Sequence, residues 1–419
     1  MIDLKHLLEQ PELYTQELEK RFADVTLVSK IQEIYADWKA KQGEFEKLRA
    51  KQNQFNSTVV QLSGEDKQKA IADMKLLSEQ VKALEAESRE LKEAIDQLVY
   101  KVPNLTWAGI PIGADDSANL ESKVYGTKPD FTFTPKNYFE LPVFERDYLS
   151  QKGVEAAGTR GYFIKGELAK LQRVLFNWVL QKLIDKGFEY VIPPIMVNDK
   201  VMYGTGFFPT SKNDFYTVNP DEDNLYLVGS SEPSLMFMDS NSILDLTQPR
   251  KLTAWTTCFR REAGTYGKDT KGGIRVHQFE KVEMVYICRA DQSEAMFEEI
   301  TQIFRETLDE LGLYYHDLEV CSGDISIKNH RQIDIEAWFP AQKAFREVCS
   351  SSNCTDYQTR NLNIRYKDLD GEIKLAHSLN CTGITNRTLF AILEQFQQAD
   401  GRVKLPPVLA KLYGQEFLV

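Results

Sequence analysis

The chain has 419 residues, 42% of them hydrophobic, enough for one large domain with its own core and a smaller appendage, since domains usually hold about 100–200 residues. The opening Met1-Ile2-Asp3-Leu4-Lys5 carries no apolar signal core, and no later stretch approaches the roughly 20 apolar residues that cross a bilayer, so a cytoplasmic protein without membrane association is expected. A formal net charge of −11 argues against a globally basic nucleic-acid binder, although local patches on an acidic protein can still hold a polyanion.

In chain order, the first long element begins at Ile31. Ile31, Ile34, Trp38, Phe45, Leu48, Phe55, Val59 and Leu62 follow steps of three and four, with Lys41 and Gln52 filling the same seam. That is a heptad stripe. After Ser63-Gly64-Glu65-Asp66 it resumes as Ala70, Met74, Leu77, Val81, Leu84, Ser88, Leu91, Ile95 and Leu98. Two helices of about 30 residues joined by so short a turn must fold back antiparallel, giving an arm about 45 Å long at 1.5 Å per residue. By itself such an arm fits an oligomerisation or spacer coil, and its charges are too evenly balanced to mark an RNA-binding surface.

Val102-Pro103-Asn104-Leu105 ends the helical pattern, and Pro111, Gly113, Pro129 and Pro135 punctuate the next stretch of chain, so the expected domains are residues 1–103 and 104–419. Residues 167–186 read as an amphipathic helix stopped at Gly187, and residues 188–194 as a short strand ended by Pro193 and Pro194. Strand-like segments come after these at 226–228, 251–259, 275–287 and 362–367, with helical ones at 292–311 and 387–399. Several neighbouring strands lack intervening helices. The expected fold class is therefore α+β: the antiparallel two-helix coiled-coil arm plus a body built on a mostly antiparallel sheet flanked by helices.

Six cysteines (Cys258, Cys288, Cys321, Cys349, Cys354 and Cys381) are scattered, which fits reduced thiols. The one close pair, Cys349 and Cys354, has no CxxC or HxxxH companion, so no zinc site is expected.

The densest chemistry lies between Cys258 and Glu283, which reads as strand, glycine-rich basic loop, strand. Period-two geometry puts Arg260 and Glu262 on one face of the first strand, and Arg275, Phe279 and Glu283 on one face of the second. Four strand residues span about 13 Å, so Phe279 and Glu283 can bracket an object as long as an aminoacyl-adenylate. An arginine suits its phosphate, an aromatic its purine and a carboxylate its ammonium. The same residues equally fit a surface ion pair, a core aromatic and a solvated strand charge. No GxxxxGK[ST] loop, GxSxG elbow or metal-protease histidine spacing occurs, so nucleotide chemistry here needs another scaffold.

Phe259-Arg260-Arg261-Glu262-Ala263-Gly264 and Arg275-Val276-His277-Gln278-Phe279-Glu280-Lys281-Val282-Glu283 resemble motif 2 of the class II aminoacyl-tRNA synthetases in their seryl branch. Residues 187–194 are similar to motif 1, whose strand and proline, here Pro194, build a dimer interface. Asn380-Cys381-Thr382-Gly383 followed by residues 387–394 is similar to motif 3. Residues 350–358 and the helical hairpin, which resembles the family's tRNA-binding arm, favour the seryl enzymes over their class relatives. The resemblance spans essentially the whole chain.

What it implies is a homodimeric, ATP-dependent and AMP-forming ligase that makes seryl-adenylate and esterifies the 3′ end of tRNA(Ser), and of tRNA(Sec) by the same resemblance. Arg260, Glu262 and Arg387 would be the catalytic side chains. ATP would meet Arg260 at its α-phosphate, Arg387 at its γ-phosphate, Glu262 on the adenine side, Phe279 in a stack and the backbone of Val276. Arg261, Glu347, Val348, Cys349 and Ser350 would complete the ATP site, with ATP-borne Mg2+ at Glu347 and Ser350. Ser230, Ser231, Glu232, Glu283 and Thr382 would surround L-serine, and the 30–100 arm and the 264–273 loop would meet the tRNA.

Four departures from the family pattern stand out. Ser230-Ser231-Glu232 replaces the common Thr-x-Glu, Thr382 stands where serine is frequent, Asn386 stands where glycine is usual, and motif 3 is one residue short before Arg387. Two other readings share the pattern. One is a paralogue charging a different acceptor, which the intact arm opposes. The other is a non-catalytic RNA-binding homologue, which the retention of Arg260, Glu262, Phe279, Glu283, Glu347 and Arg387 opposes.

Overall fold

The computed structural model describes residues 1–59, 63–263 and 271–419, with the side chains of 56–59 left aside. It divides into two compact units, one of Ile2–Glu19 with Ala23–Pro103 and one of Met1, Lys20–Phe22 and Asn104–Val419. No described helix is long and apolar enough to cross a membrane.

The first unit is dominated by helices α1 (Thr26–Val59) and α2 (Gly64–Val99), of 34 and 36 residues. Each is about 50 Å long at 1.5 Å per residue, a little more than the heptad stripe predicts. The stripe is the packed seam: Ile31 and Phe45 of α1, and Ala70, Val81, Ser88 and Ile95 of α2, are buried. Its polar members are satisfied across the seam. Lys41 pairs with Glu87 at 2.8 Å, and the Ser88 hydroxyl donates to Gln42 Oε1 at 2.7 Å. Leu62 of the stripe lies outside the described residues. Two short helices, Leu4–Glu9 and Pro11–Lys20, precede the arm; at 6 and 10 residues they are too short for a periodic signal.

The second unit is built on an eight-stranded sheet. In chain order its strands are β1 (Leu120–Tyr125), β2 (Glu189–Tyr190), β3 (Arg250–Phe259), β4 (Gln278–Cys288), β5 (Tyr315–Glu319), β6 (Arg331–Phe339), β7 (Ala344–Thr355) and β8 (His377–Thr385). They lie in the order β1-β5-β6-β7-β8-β4-β3-β2, and every pairing is antiparallel except β2 with β3.

Several boundaries differ from expectation. The 188–194 strand shrinks to the two residues of β2 before the prolines. The 362–367 segment pairs only from Arg365, because Tyr357–Leu362 is a helical turn closed by Asn363 at φ +53°. Strands β5 to β8 are not among the expected strands: β7 and β8 run through polar, small-residue stretches such as Ser350-Ser351-Ser352-Asn353, poor in the β-branched residues that mark strands, whereas β6 does alternate.

Helices α3 (Gly166–Asp185), α5 (Ser293–Leu311) and α6 (Asn386–Gln395) cover one face of this sheet; α4 (Glu232–Met238) packs on the other. Leu171, Leu175, Phe176, Phe297, Phe304, Leu389 and Phe390 meet Val282, Met284, Tyr286, Ile333, Ile335, Cys349, Leu379 and Cys381 in the main core. Each such side chain withdrawn from water contributes about 1.5–3 kcal/mol. Because side chains alternate along a strand, the intervening residues point the other way: Phe279, Lys281 and Glu283 on β4, Asp334 on β6, Ser350 on β7, and Asn380 and Thr382 on β8. That polar face carries the site. Register shifts between Val282 and Glu283 on β4, and between Ile335 and Glu336 on β6, re-aim side chains beside it.

Candidate active site

β3 ends at Phe259 and β4 begins only at Gln278, so Arg260, Glu262 and Arg275 lie on the connection and not, as period-two reading expects, on the strands. The chain turns sharply at Glu262, whose φ of +52° is left-handed and uncommon for a residue with a side chain. Two cations hold that turn: Arg275 Nη1 lies 2.5 Å from Glu262 Oε2, and Arg160 Nη1 lies 3.9 Å from it. Residues 264–270 of the expected tRNA loop lie outside the described residues.

Above the polar face is a cavity of about 610 Å3, counted with its open mouth, lined by Arg260, Glu262, Gly273, Ile274, Val276, Phe279, Lys281, Glu347, Val348, Ser350, Thr382, Thr385, Asn386 and Arg387. A second hollow of about 950 Å3 shares Arg260, Glu262, Glu347 and Arg387 and adds Phe207, Asp214, Phe215 and Gly229. The fold thus brings together nine of the sequence-predicted residues from three strands, a loop and a helix: Arg260, Glu262, Val276, Phe279, Glu347, Val348, Ser350, Thr382 and Arg387.

Arg260 donates from Nε to the Gly229 carbonyl at 3.3 Å and holds its guanidinium 5.3 Å from the Phe279 ring centre, within cation–π range. Arg387 sits in the first turn of α6. It donates from Nη1 to the Glu347 carboxylate at 2.8 Å and to the Glu347 carbonyl at 3.0 Å, and from Nε to the Ile274 carbonyl at 3.3 Å. Asn386, the residue that replaces the usual glycine, has a structural task. Its Oδ1 accepts from the Glu280 N–H at 3.0 Å and its Nδ2 donates to Gln172 at 2.8 Å, tying α6 to β4 and α3.

Burial pushes the Glu347 carboxyl up, but the neighbouring Arg387 charge and hydrogen bond, with Arg260 and Lys281, hold it below the ordinary value. Asp334, a carboxylate the sequence reading missed, stands opposite Ser350 in the register. Burial first, and the Glu347 charge second, push it up to about 8, against hydrogen bonds from Gln332 and Ser350. Its signal was the alternation of Asp334 and Glu336 with Ile333, Ile335 and Ala337, which marks one polar strand face.

No group of three or more His, Cys, Asp or Glu among the described residues is placed to hold a metal. Glu347 and Ser350 offer two oxygens on the cavity wall, a set that fits an ion drawing most of its shell from phosphates and water, as Mg2+ does. The cysteines are all free and buried. Cys349, expected at the ATP site, turns into the core, where its sulfur lies 3.5 Å from that of Cys381 and burial keeps its thiol well above the ordinary range.

Arg261 is also turned away: it is exposed, its N–H donates to the Asp214 carbonyl at 2.8 Å and its Nη1 to the Asn213 carbonyl at 3.2 Å. Ser230, Ser231, Glu232 and Glu283 do not line the cavity either; all are at most 4% exposed. Glu283 faces Thr382 across the β4–β8 ladder, and its Oε2 lies 2.5 Å from Lys281 Nζ. Burial raises the Glu283 carboxyl, with the Lys281 charge opposing. Glu232 opens α4 and has Oε1 occupied by Lys328 Nζ, by Gln358 Nε2 at 2.7 Å and by Asn380 Nδ2 at 3.1 Å. Lys281 and Lys328 escaped the sequence reading, although Lys281 has the same strand parity as Phe279 and Glu283.

Known proteins share this fold. Residues 216–396 match the family model for the tRNA synthetase class II core domain (G, H, P, S and T), and residues 1–106 match that for the seryl-tRNA synthetase N-terminal domain. The chain is 39% identical to a serine-tRNA ligase of Rhodococcus jostii, with all of both chains covered. It is similar to the crystal structure of seryl-tRNA synthetase from Pyrococcus horikoshii complexed with ATP, at 34% identity and a TM-score of 0.89, covering 100% of this chain and 99% of that one. It is also similar to a cytoplasmic serine-tRNA ligase from Naegleria fowleri in complex with AMP, at 28% identity and a TM-score of 0.82, covering 97% and 95%.

Proposed function

The chain belongs to the seryl-tRNA synthetase family and acts as an ATP-dependent serine-tRNA ligase, and we propose that the cavity between Arg260, Phe279 and Arg387 is where it activates L-serine. The observation that carries this reading is the combination of one guanidinium over the Phe279 ring and a second, Arg387, whose partner is a carboxylate on the cavity wall. A triphosphate can take the place of that carboxylate, because guanidinium binds phosphate oxygens as it binds carboxylate oxygens.

Adenine stacks on Phe279, Arg260 takes the α-phosphate and Arg387 the γ-phosphate. The serine carboxylate then attacks the α-phosphorus in line, and pyrophosphate leaves. Arg260 is aimed at the oxygens on which charge grows, so the gain comes from positioning and electrostatics. Glu347 and Ser350 would hold the Mg2+ that ATP carries, which would supply further neutralisation of phosphate charge. A ribose hydroxyl at the tRNA 3′ end next attacks the seryl carbonyl and releases AMP. A pocket built around Glu283 and Thr382 rejects alanine by leaving a buried polar group unpaired.

Residues 1–103, with the 30–100 arm, serve tRNA(Ser), and residues 104–419 the chemistry, in the cytoplasm. Homodimer formation is supported by apolar side chains that stand exposed around β2: Ile192 is 83%, Met196 46% and Tyr190 40% exposed. The test is a charging assay with labelled serine and total tRNA. Acid-precipitable seryl-tRNA(Ser) is expected; activation of serine without any transfer to tRNA would contradict the reading.

A further inference from the structure

Glu283, a carboxylate of the proposed serine pocket and the group on hand there for the substrate ammonium, is not open to the cavity. It is 1% exposed and absent from the cavity wall, whereas Lys281, two residues earlier on the same strand face, lines that wall. The Lys281 ammonium lies 2.5 Å from Glu283 Oε2 and donates to the Ser230 hydroxyl at 3.4 Å, and both groups bear on the Glu283 carboxylate. Lys281 therefore occupies the position on Glu283 that a substrate ammonium needs. Two ammonium groups cannot share one buried carboxylate oxygen, because like charges at that distance repel strongly where water is excluded.

The neighbouring acid–lysine pair is built differently. Glu232 is held by Lys328 together with the side-chain amides of Gln358 and Asn380, so that pair is locked. The Lys281–Glu283 pair has no such amides, and a lysine stem is flexible enough to swing its point charge.

We propose that Lys281 is an exchangeable counter-ion: it neutralises Glu283 until serine binds, yields the carboxylate to the substrate's ammonium, and takes the substrate's carboxylate in return. The exchange keeps every buried charge paired at the start and at the end, which is the condition for moving charges in a site of low dielectric. It also makes the pocket selective for a zwitterion. An amine without a carboxylate evicts Lys281 and leaves it unpaired beside Arg260, whose charge already bears on it. Lys281 is thus a positioning residue that brings the attacking carboxylate towards Arg260.

This inference rests on the serine-activating reading, and the test separates the two. Calorimetric titration of the full-length protein with L-serine and with L-serinamide, which keeps the ammonium and hydroxyl but has a neutral carboxamide, gives an affinity ratio for wild type, Lys281→Met and Lys281→Arg. Wild type should favour serine, the ratio should fall on the order of tenfold or more in Lys281→Met, as expected for losing a charge-assisted contact, and Lys281→Arg should restore part of it. An unchanged ratio in Lys281→Met overturns the exchange. Should Lys281→Met fail to fold, the Nζ resonance of Lys281 in lysine-labelled wild type, assigned by its loss in Lys281→Arg, decides the matter: it should move on saturation with serine, and a fixed resonance overturns the exchange. Wild type that binds no serine would sink the activation reading itself, whereas serine binding with an unchanged ratio sinks only the role of Lys281.

Discussion

At the scale of single residues, the site is a set of ion pairs whose partners are the kinds of group a substrate would offer. Arg387 rests on Glu347, Arg275 on Glu262 and Lys281 on Glu283. A phosphate or an ammonium can replace one member of such a pair, and no buried charge is stranded as long as the displaced member finds its own partner on the substrate. Arg260 differs in that, among the described residues, its side chain makes one hydrogen bond, to the Gly229 carbonyl, with the Phe279 ring beside its head group, which leaves most of its five donors for phosphate oxygens. Replacing Arg260 with Ala should therefore lower serine-dependent ATP–pyrophosphate exchange by about 10²–10³-fold, the usual cost of losing one aimed donor. The thermal midpoint should barely move, because an exposed side chain with one carbonyl contact adds little to stability. Loss of activity together with a collapsed midpoint would recast Arg260 as structural.

Nine of the residues named from motif resemblance line the cavity; Ser230, Ser231, Glu232 and Glu283 are buried away from its wall, and two more depart for local reasons. Cys349 follows strand alternation into the core, and Arg261 falls on the outer side of the left-handed turn at Glu262. Lys281 was legible from parity alone. Lys328 was not, since it lies in a loop and its contact with Glu232 spans 96 positions of sequence.

At the scale of elements, periodicity told most where one face is apolar. The heptad seam gave α1 and α2, and the amphipathic stripe gave α3. It failed for β7 and β8, whose outward residues are part of the polar floor of the site and whose inward residues are as often Cys or Ser as Ile or Leu. The edge strand β1 illustrates another device invisible to pattern reading. His316 on β5 is buried between Glu121 of β1, at 2.5 Å, and Glu336 of β6, at 2.9 Å, and stacks on Phe345 at 3.9 Å.

Burial lowers the His316 imidazole, but hydrogen bonds and charge from Glu336 and Glu121 prevail and raise it above the ordinary value. A raised value in the folded state means that the clasp stabilises fully below the unfolded value of about 6.5 and is lost as pH rises through the folded one. Relative to His316→Gln, wild type should thus lose its stability advantage as pH rises from about 6.5 upward, by on the order of 2 °C in midpoint for each kcal/mol lost. Thermal unfolding across that range checks it; a constant difference would show that the clasp does not titrate.

At the scale of the whole molecule, the proposed reading gives the two units separate work. The arm buries only a narrow seam, its surface is densely charged, and none of the cavity residues belongs to it. Deleting residues 30–100 should leave serine-dependent exchange largely intact and reduce tRNA charging about a hundredfold, the size of effect expected when one of two linked binding modules is lost. Equal loss of both activities would contradict the division. This organisation was legible in the sequence because it is written at long range: a heptad tract, a proline-punctuated boundary and three ordered motifs. The burial of Glu283 against Lys281 was not, because it depends on which buried ammonium stands against which carboxylate.

The most direct measurement is ATP–pyrophosphate exchange by the purified protein with magnesium, run against serine, threonine, alanine, cysteine and glycine. Exchange driven by serine, and weak or absent with the other four, is the predicted result. Exchange with none of them, or driven by alanine or glycine as well as by serine, would contradict the assignment of this cavity to serine activation.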